Sequence, residues 1–378
     1  MYRLALLAAA FLAVGCSSDA SGPAQPASGP GAPEFDVAAA TPIAFDREDS
    51  KLGEIGTTIW QGFHPTNPHV GDAIIVTFFW PGSTNIVNSV TDYLVDGTPV
   101  GNTYTLVEYV TAGGISMATY VATNVQNFPD PNPDQDKVLV VQANLLSAIP
   151  DGGAIMSAYS GVNAVSAWAV GAHQSASGSG SVPTTAAPGA IAVGAGALAY
   201  GITLSDAEVG IDAPEGFTYI TNISDPALKA DARYAVQSSV GPVAPQWTWY
   251  FDSPAAPRTW LATVLALNPS LHFVFTVQPT TTLPFFAITP AVQVTALDAL
   301  DNPVSSFTGS VTIRIGKNGG IALPGTLSGT TTVAAVNGVA TFANLSIDQL
   351  GNGYTLEVIA SGLTGAESQP FNIGIGPL

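Results

Sequence analysis

The stretch Ala73-Ile-Ile-Val-Thr-Phe-Phe-Trp80 is apolar at every position except the threonine. Side chains of a β-strand point alternately to opposite faces, so a run that is apolar at odd and even positions predicts a strand buried on both faces. Further runs rich in β-branched and aromatic residues, separated by Gly, Pro, Asn and Asp, lie at 102–110, 117–125, 137–145, 154–160, 191–193, 217–220, 233–237, 247–251 and 260–267. This spacing is typical of an antiparallel β-sandwich.

The composition suits secreted β-rich domains and excludes some partners. A chain of 378 residues is long enough for two or three domains. Apolar residues make up 47% of the chain, but charged residues only 10%, well below the roughly 25% of average domains. Nine Lys and Arg face 27 Asp and Glu, which gives a net charge of −18. Because phosphate binding needs a basic surface, we exclude nucleic acid as a partner and expect no electrostatic attraction to anionic lipid.

The first folded region is predicted to be a jelly-roll-like β-sandwich over residues 42–269. Its two halves begin alike, since 68–76 and 187–193 both run from a turn into an apolar strand, which suggests a two-part build. The one helix-like segment is 225–231, where Asp225 precedes a proline. The motifs Gly101-Asn-Thr-Tyr-Thr-Leu-Val, Tyr120-Val-Ala-Thr-Asn-Val, Tyr159-Ser-Gly-Val and Thr184-Thr-Ala-Ala-Pro-Gly resemble a β-sandwich domain that recurs in bacterial surface and secreted proteins.

Residues 270–378 are predicted to form a second, immunoglobulin-like sandwich. Alternation in 310–315 places Arg314 on the face opposite Val311 and Ile313, and alternation in 354–360 separates Glu357 from its apolar neighbours. The segments 292–304, Gly325-Thr-Leu, Asn337-Gly-Val-Ala-Thr-Phe342 and Gly353-Tyr-Thr-Leu resemble the bacterial immunoglobulin-like repeats of the invasin and intimin type. That resemblance implies a spacer or stalk module.

The amino-terminal segment predicts export. Residues 1–15 combine one early arginine with a short apolar run, which are the parts of a secretory signal peptide. The residues Leu12-Ala-Val-Gly-Cys16 resemble the lipobox of bacterial lipoproteins, which implies cleavage before Cys16, acylation of its sulfur and localisation to the cell envelope, at the outer membrane. The alternative is an ordinary signal peptide with an incidental cysteine. Residues 16–41 are rich in Ser, Pro and Gly and predict a flexible tether.

Few sequence motifs point to chemistry. The chain has no Gly-x-Ser-x-Gly, no His-Glu-x-x-His and only one cysteine, so we predict a non-enzymatic protein without an obligatory cofactor. The strongest cation candidate is a loop with oxygen ligands at alternate positions, at Asp130, Asn132, Asp134 and Asp136. It is either a Ca²⁺ site or a polar hairpin loop without an ion. Zinc at His64, His69 and Asp72 is an alternative to solvated loop histidines.

Three aromatic residues indicate whether the protein could bind sugars by stacking. Trp247, Trp249 and Phe251 share one face of a strand. They form a sugar-stacking strip if that face is exposed, and part of the core if it is buried.

Our leading hypothesis is an envelope-anchored surface lipoprotein for adhesion or structural display, with the first sandwich as recognition head. It would be bound to the membrane through its lipid and would bind a glycan or surface protein. The alternatives are a carbohydrate-binding module or a secreted glycan hydrolase, which needs two carboxylates facing each other across a groove.

Overall fold

Strands account for nearly all of the regular structure. The computed structural model describes residues 42–130, 135–181, 183–208, 210–250 and 257–375. Within it strand makes up 57% and helix 2%, so the prediction of an all-β sandwich fold is confirmed. The signal peptide, Cys16 and the tether fall outside the described residues.

The first jelly-roll unit contains eight antiparallel strands in two sheets. The strands are β1 (Ala44–Leu52), β2 (Gly56–Gly62), β3 (Ala73–Pro81), β4 (Val87–Leu94), β5 (Thr105–Ala112), β6 (Ile115–Ala122), β7 (Leu139–Ile149) and β8 (Gly153–Ser160). A five-stranded sheet has the order β1-β8-β3-β6-β5, and a three-stranded sheet the order β2-β7-β4. A 3₁₀ turn at Gln135–Lys137 precedes β7.

The second jelly-roll unit repeats this strand order. It follows a one-turn helix, α1 (Ser166–Ala169), and contains β9 (Val170–Gly180), β10 (Thr184–Ala186), β11 (Ile191–Val193), β12 (Leu198–Ser205), β13 (Gly210–Asp212), β14 (Thr218–Ser224), β15 (Lys229–Val236), β16 (Gly241–Val243), β17 (Trp247–Tyr250) and β18 (Arg258–Leu267). The sheet β9-β18-β12-β15-β14 matches β1-β8-β3-β6-β5, and β10-β17-β13 matches β2-β7-β4, with β11-β16 as an added pair. The similar halves seen in the sequence therefore correspond to two successive eight-strand patterns, where we expected one sandwich.

The two five-stranded sheets face each other across a shared apolar core. Ile75 and Phe79 of β3 pack into the same cluster as Leu198 and Ile202 of β12. The alternate residues of β3, among them Phe78, point the other way into a core under β2, β7 and β4. Burial of β3 on both faces is thus confirmed, because one face contacts its own small sheet and the other contacts the second unit.

A polar bridge crosses that shared core at the one non-apolar position of β3. The Thr77 hydroxyl lies 2.9 Å from the Thr119 hydroxyl and 3.2 Å from the Tyr200 hydroxyl. Thr77 and Thr119 belong to the first unit and Tyr200 to the second. These hydrogen bonds therefore fix the position of one five-stranded sheet relative to the other, in addition to the apolar surface that the two sheets bury.

The segment 225–231 does not form the expected helical turn. The Asp225 carboxylate accepts the N–H groups of Ala227 and Leu228, at 2.7 and 2.8 Å, and closes a turn instead. Strand β15 begins immediately afterwards at Lys229 and pairs with β12 and β14. Sheet pairing on both sides outweighs a weak local helix signal.

The C-terminal domain has eleven strands around one core. They are β19 (Leu271–Val277), β20 (Val292–Leu297), β21 (Ser310–Ile315), β22 (Leu327–Ser328), β23 (Thr332–Ala334), β24 (Val339–Phe342), β25 (Ser346–Ile347), β26 (Gly351–Tyr354), β27 (Leu356–Ala360), β28 (Leu363–Glu367) and β29 (Phe371–Ile373). Seven pair in the order β23-β21-β27-β28-β19-β20-β24, with β22-β25 and β26-β29 as smaller sheets. Trp168 of α1 packs against this core, its ring centroid 5.3 Å from that of Phe307.

No helix in the described part of the chain combines the length and the apolarity that crossing a bilayer requires.

Candidate functional site

Asp46, His69 and Asp72 form a carboxylate–histidine cluster at one end of the first jelly-roll unit. Asp46 lies on β1, while His69 and Asp72 lie on the loop that joins β2 to β3. One ligand atom from each residue falls within 4.8 Å of those of the other two, and no other such group of three occurs in the described ranges.

The β2–β3 loop is held in place by a buried asparagine. The Asn67 side chain donates to the carbonyl oxygens of Pro129 and Lys137, both at 3.0 Å, and accepts the Leu139 N–H at 2.7 Å. Arg47 adds a hydrogen bond from its guanidinium to the Thr66 carbonyl at 3.0 Å. These contacts from neighbouring segments fix the loop, so the cluster is positioned by the fold.

Three hydrogen bonds bring the members of the cluster together. The His69 Nδ1 atom lies 3.1 Å from Asp46 Oδ2. The backbone N–H of His69 donates to Asp46 Oδ2 at 3.0 Å and to Asp72 Oδ2 at 3.3 Å, so a single amide holds the two carboxylates side by side. Asp72 is 3% exposed, whereas the His69 side chain is 56% exposed, so the cluster opens to solvent on its imidazole side.

The pKa values of the two carboxyl groups are shifted in opposite directions. Burial, followed by the hydrogen bond and the charge of Asp46, raises the pKa of Asp72 to about 7. Burial also acts to raise the pKa of Asp46, but hydrogen bonds from Arg47 and Asp72 and the Arg47 charge outweigh it and hold that pKa below its ordinary value. The hydrogen bond and charge of Asp46 raise the pKa of His69. The carboxyl groups of Asp46 and Asp72 therefore share one proton.

His64 does not join this cluster, contrary to the zinc interpretation of the sequence. Its Nδ1 atom lies 3.3 Å from Asp49 Oδ2, and its backbone N–H donates to the same oxygen at 2.9 Å. The third member is Asp46, which sequence spacing missed because it comes from a different strand. The only sequence signal was the mixed-charge run at 46–51.

The predicted calcium loop is only partly within the described residues. Asn132 and Asp134 lie outside them. The Asp130 carboxylate accepts the Val70 N–H at 2.9 Å, which ties it to the β2–β3 loop, and Asp136 stands in the 3₁₀ turn, where its carbonyl accepts the Asp96 N–H at 2.9 Å. Calcium at this loop stays a prediction.

Trp247 and Trp249 belong to the core, so the interpretation of the strip as core is confirmed for these two residues and the alternative of an exposed sugar-stacking strip is wrong for them. Trp247 and Trp249 are both fully buried. They pack under the small sheet of the second unit with Ala186 and Ala207, and the Trp247 Nε1–H donates to Asp231 at 2.9 Å. Phe251 lies outside the described residues. The rings face inward because β17 is the central strand of its sheet and needs an apolar inner face.

A second polar cluster joins the two jelly-roll units at their edges. Glu108 of β5 lies 2.6 Å from His173 Nδ1 and accepts a 2.7 Å hydrogen bond from the Ser175 hydroxyl, both on β9. The carboxylate stands between the serine and the histidine. In a nucleophilic triad the histidine stands between the serine and the acid, so this arrangement serves to bind the two strands.

A cleft of about 650 Å³ lies where the second jelly-roll unit meets the C-terminal domain. Its lining includes Trp168 and Phe307 together with Ser238, Ser239, Ser305, Ser306, Asn268 and Asn302. Asp298 is the one ionisable residue in the lining, and its carboxylate is occupied by the N–H groups of Leu300 and Asn302 at 2.8 and 2.9 Å. The size is that of small-molecule sites, which favour domain boundaries.

An exposed aromatic turn stands on the C-terminal domain. Phe285 and Phe286 are 75% and 62% exposed, next to the exposed Leu283. Phe285 takes a positive φ of 67°, which is rare for a bulky side chain, and its N–H donates to the Ile347 carbonyl at 2.9 Å. The sequence signal was an adjacent Phe pair after Pro284, which our strand-based reasoning did not use.

Comparisons with protein-family models, with curated proteins and with solved structures give no match for this chain. Its function must be inferred from its own residues.

Proposed function

We propose that this protein is a non-enzymatic, envelope-anchored surface lipoprotein that recognises a ligand, in adhesion or structural display. The lipid on Cys16 would hold it to the outer membrane, and residues 16–41 would separate the folded region from the bilayer. The two jelly-roll units would form the recognition head and the C-terminal domain the spacer.

The observation that carries this proposal is the cleft between the second jelly-roll unit and the C-terminal domain. Hydroxyl and amide side chains beside an aromatic ring bind neutral polar ligands through hydrogen bonds and stacking. The single carboxylate in the lining, Asp298, already accepts hydrogen bonds from its own turn. The lining therefore supports binding of an uncharged ligand.

The same lining favours a glycan over a surface protein as the ligand. Sugars present hydroxyl groups and flat apolar ring faces, which match Ser and Asn side chains beside Trp168. A glycan is therefore our preferred ligand, although the buried Trp247 and Trp249 no longer support it. The exposed Phe285 and Phe286 are an additional surface suited to an apolar partner.

Glycan and matrix-protein arrays probed with the full-length protein test recognition. Ser239 is an exposed residue of the cleft wall, so Ser239→Trp should fill the cleft and reduce binding at least tenfold without unfolding the chain. Ser83→Trp is the matched control, because Ser83 is also exposed and lies on the first unit. Binding that survives Ser239→Trp unchanged, or no binding on any array, would contradict recognition through this cleft.

Anchoring is tested separately by expressing the protein in a bacterium that acylates lipoproteins. We expect the wild-type protein to sediment with membranes and to carry fatty acyl groups on Cys16 by mass spectrometry. Cys16→Ser should move it to the soluble fraction. An unacylated sulfur with an uncleaved amino terminus would contradict the lipoprotein proposal while leaving the array result intact.

A further inference from the structure

We propose that Asp46, His69 and Asp72 bind one divalent transition-metal ion of the Zn²⁺ type. The inference does not rest on the proposed function, since the cluster lies on the first jelly-roll unit and the cleft lies between the second unit and the C-terminal domain.

The spacing of the donor atoms fits a common metal centre. Zinc binds imidazole nitrogen and carboxylate oxygen at about 2.0–2.2 Å, which places neighbouring ligand atoms about 3–3.5 Å apart. His69 Nδ1 and Asp46 Oδ2 are 3.1 Å apart, and all three donors fall within 4.8 Å of one another. A small rotation of Asp72 would complete the set, because the loop backbone already holds it beside Asp46.

Asp72 supplies an independent reason to expect a cation. Asp72 is 3% exposed, and its carboxylate points into the cluster. No Lys, Arg or His side chain among the described residues forms a salt bridge with it. Of the two carboxylates, Arg47 contacts only that of Asp46, at 3.3 and 3.4 Å. Buried carboxylates are normally paired with a positive charge or coordinated to a metal. Asp72 instead accepts the His69 N–H at 3.3 Å and shares a hydrogen bond with Asp46, so a bound cation would take the place of the proton between the two carboxyl groups.

The donor chemistry selects the class of metal. Calcium and magnesium prefer sites made entirely of oxygen, whereas an imidazole beside carboxylates suits zinc and its first-row neighbours. The 56% exposure of the His69 side chain leaves room for water or another ligand in the remaining coordination positions. The arrangement of three protein ligands with an open side differs from closed structural zinc sites.

The test is a Zn²⁺ titration of the full-length protein after chelator treatment, with a competing chromophoric chelator to measure affinity. We expect one ion per chain. His69→Ala should weaken binding at least tenfold, because even residues that only orient a ligand contribute 10–100-fold. His64→Ala is the matched control, since His64 lies on the same loop and is paired with Asp49; it should stay within twofold of wild type.

A second measurement does not depend on any variant. Zn²⁺ should slow hydrogen exchange in peptides that cover the loop 63–72 and leave β12 peptides of the second unit unchanged. Absence of one-to-one binding would overturn the proposal and leave the two carboxylates sharing only a proton. Equal effects of His64→Ala and His69→Ala, or zinc protection elsewhere than in the loop, would overturn it as well.

Discussion

Removal of the Asp231 carboxylate should open the second jelly-roll unit. Asp231 on β15 is fully buried and accepts four hydrogen bonds. Two come from the Arg233 guanidinium at 2.8 and 2.9 Å, one from the Trp247 indole at 2.9 Å and one from the Asn222 amide at 3.0 Å. The Arg233 side chain is only 16% exposed and stacks over Tyr219 at 4.7 Å, so it cannot turn freely to water.

The magnitude follows from what Asp231→Ala leaves behind. A buried guanidinium loses its counter-charge, and the indole N–H of Trp247 loses its acceptor in a fully buried position. Breaking a buried ion pair by removing one partner costs about 3–5 kcal/mol. Because each 1.4 kcal/mol is a factor of ten, amide exchange through opening of this unit should accelerate by about a hundredfold or more.

The assay is hydrogen exchange with mass spectrometry on the full-length protein, comparing peptides from β12 and β15 with peptides from β20. Glu357→Ala is the matched control, because Glu357 also pairs with an arginine, in this case on a neighbouring strand. The pair Arg314–Glu357 has an N–O distance of 2.9 Å, but its side chains are 59% and 36% exposed. Exposed pairs contribute about 0–1 kcal/mol.

The result that would refute this reasoning is equal exchange in the two variants. If Asp231→Ala accelerated exchange of β15 no more than Glu357→Ala accelerates exchange of β21, burial would not be the source of the difference. Faster exchange in β20 after Asp231→Ala would show an effect that is not confined to the second unit.

Three further predictions concern other parts of the fold. Trp168→Ala removes the half-buried ring that packs on Phe307 and should cost the C-terminal domain about 2 kcal/mol, seen as faster exchange of its peptides; unchanged exchange at 304–307 would contradict the contact. Because the pKa of Asp72 is raised from 3.8 to about 7, the metal-free folded protein holds a proton that the unfolded chain has lost, so urea midpoints should fall as pH rises from 4 to 7, and Asp72→Asn should flatten that slope. Gly153→Ala would place a methyl group against the backbone of β1 and should destabilise by about 1–3 kcal/mol, whereas Gly194→Ala, with open space around it, should leave the urea midpoint unchanged.

Residue patterns within one strand were enough to predict burial. The alternation in 310–315 placed Val311 and Ile313 inside and Arg314 outside, and the structure agrees. The same reasoning set Glu357 on the outer face, where it pairs with Arg314 across the sheet. A strand side chain has only two directions to choose between, so period-two alternation decides its face without knowledge of the partner strand.

The candidate site could be predicted only in part. His69 and Asp72 stand three positions apart on one loop, and their proximity was visible in the sequence. Asp46 is 23 residues earlier than His69 and reaches it only because β1 and β3 both pair with β8. His64 is nearer to His69 in sequence, yet its contact is with Asp49.

The sequence alone determined that this chain is built of strands, where its buried runs lie and which residues of each run share a face. Tertiary structure decided what each face meets: the facing five-stranded sheets of the two jelly-roll units, the inward Trp247 and Trp249, and the meeting of Asp46 with His69. The physical reason is that periodicity and turn chemistry are local, whereas burial of an aromatic ring or a carboxylate depends on atoms brought from distant strands.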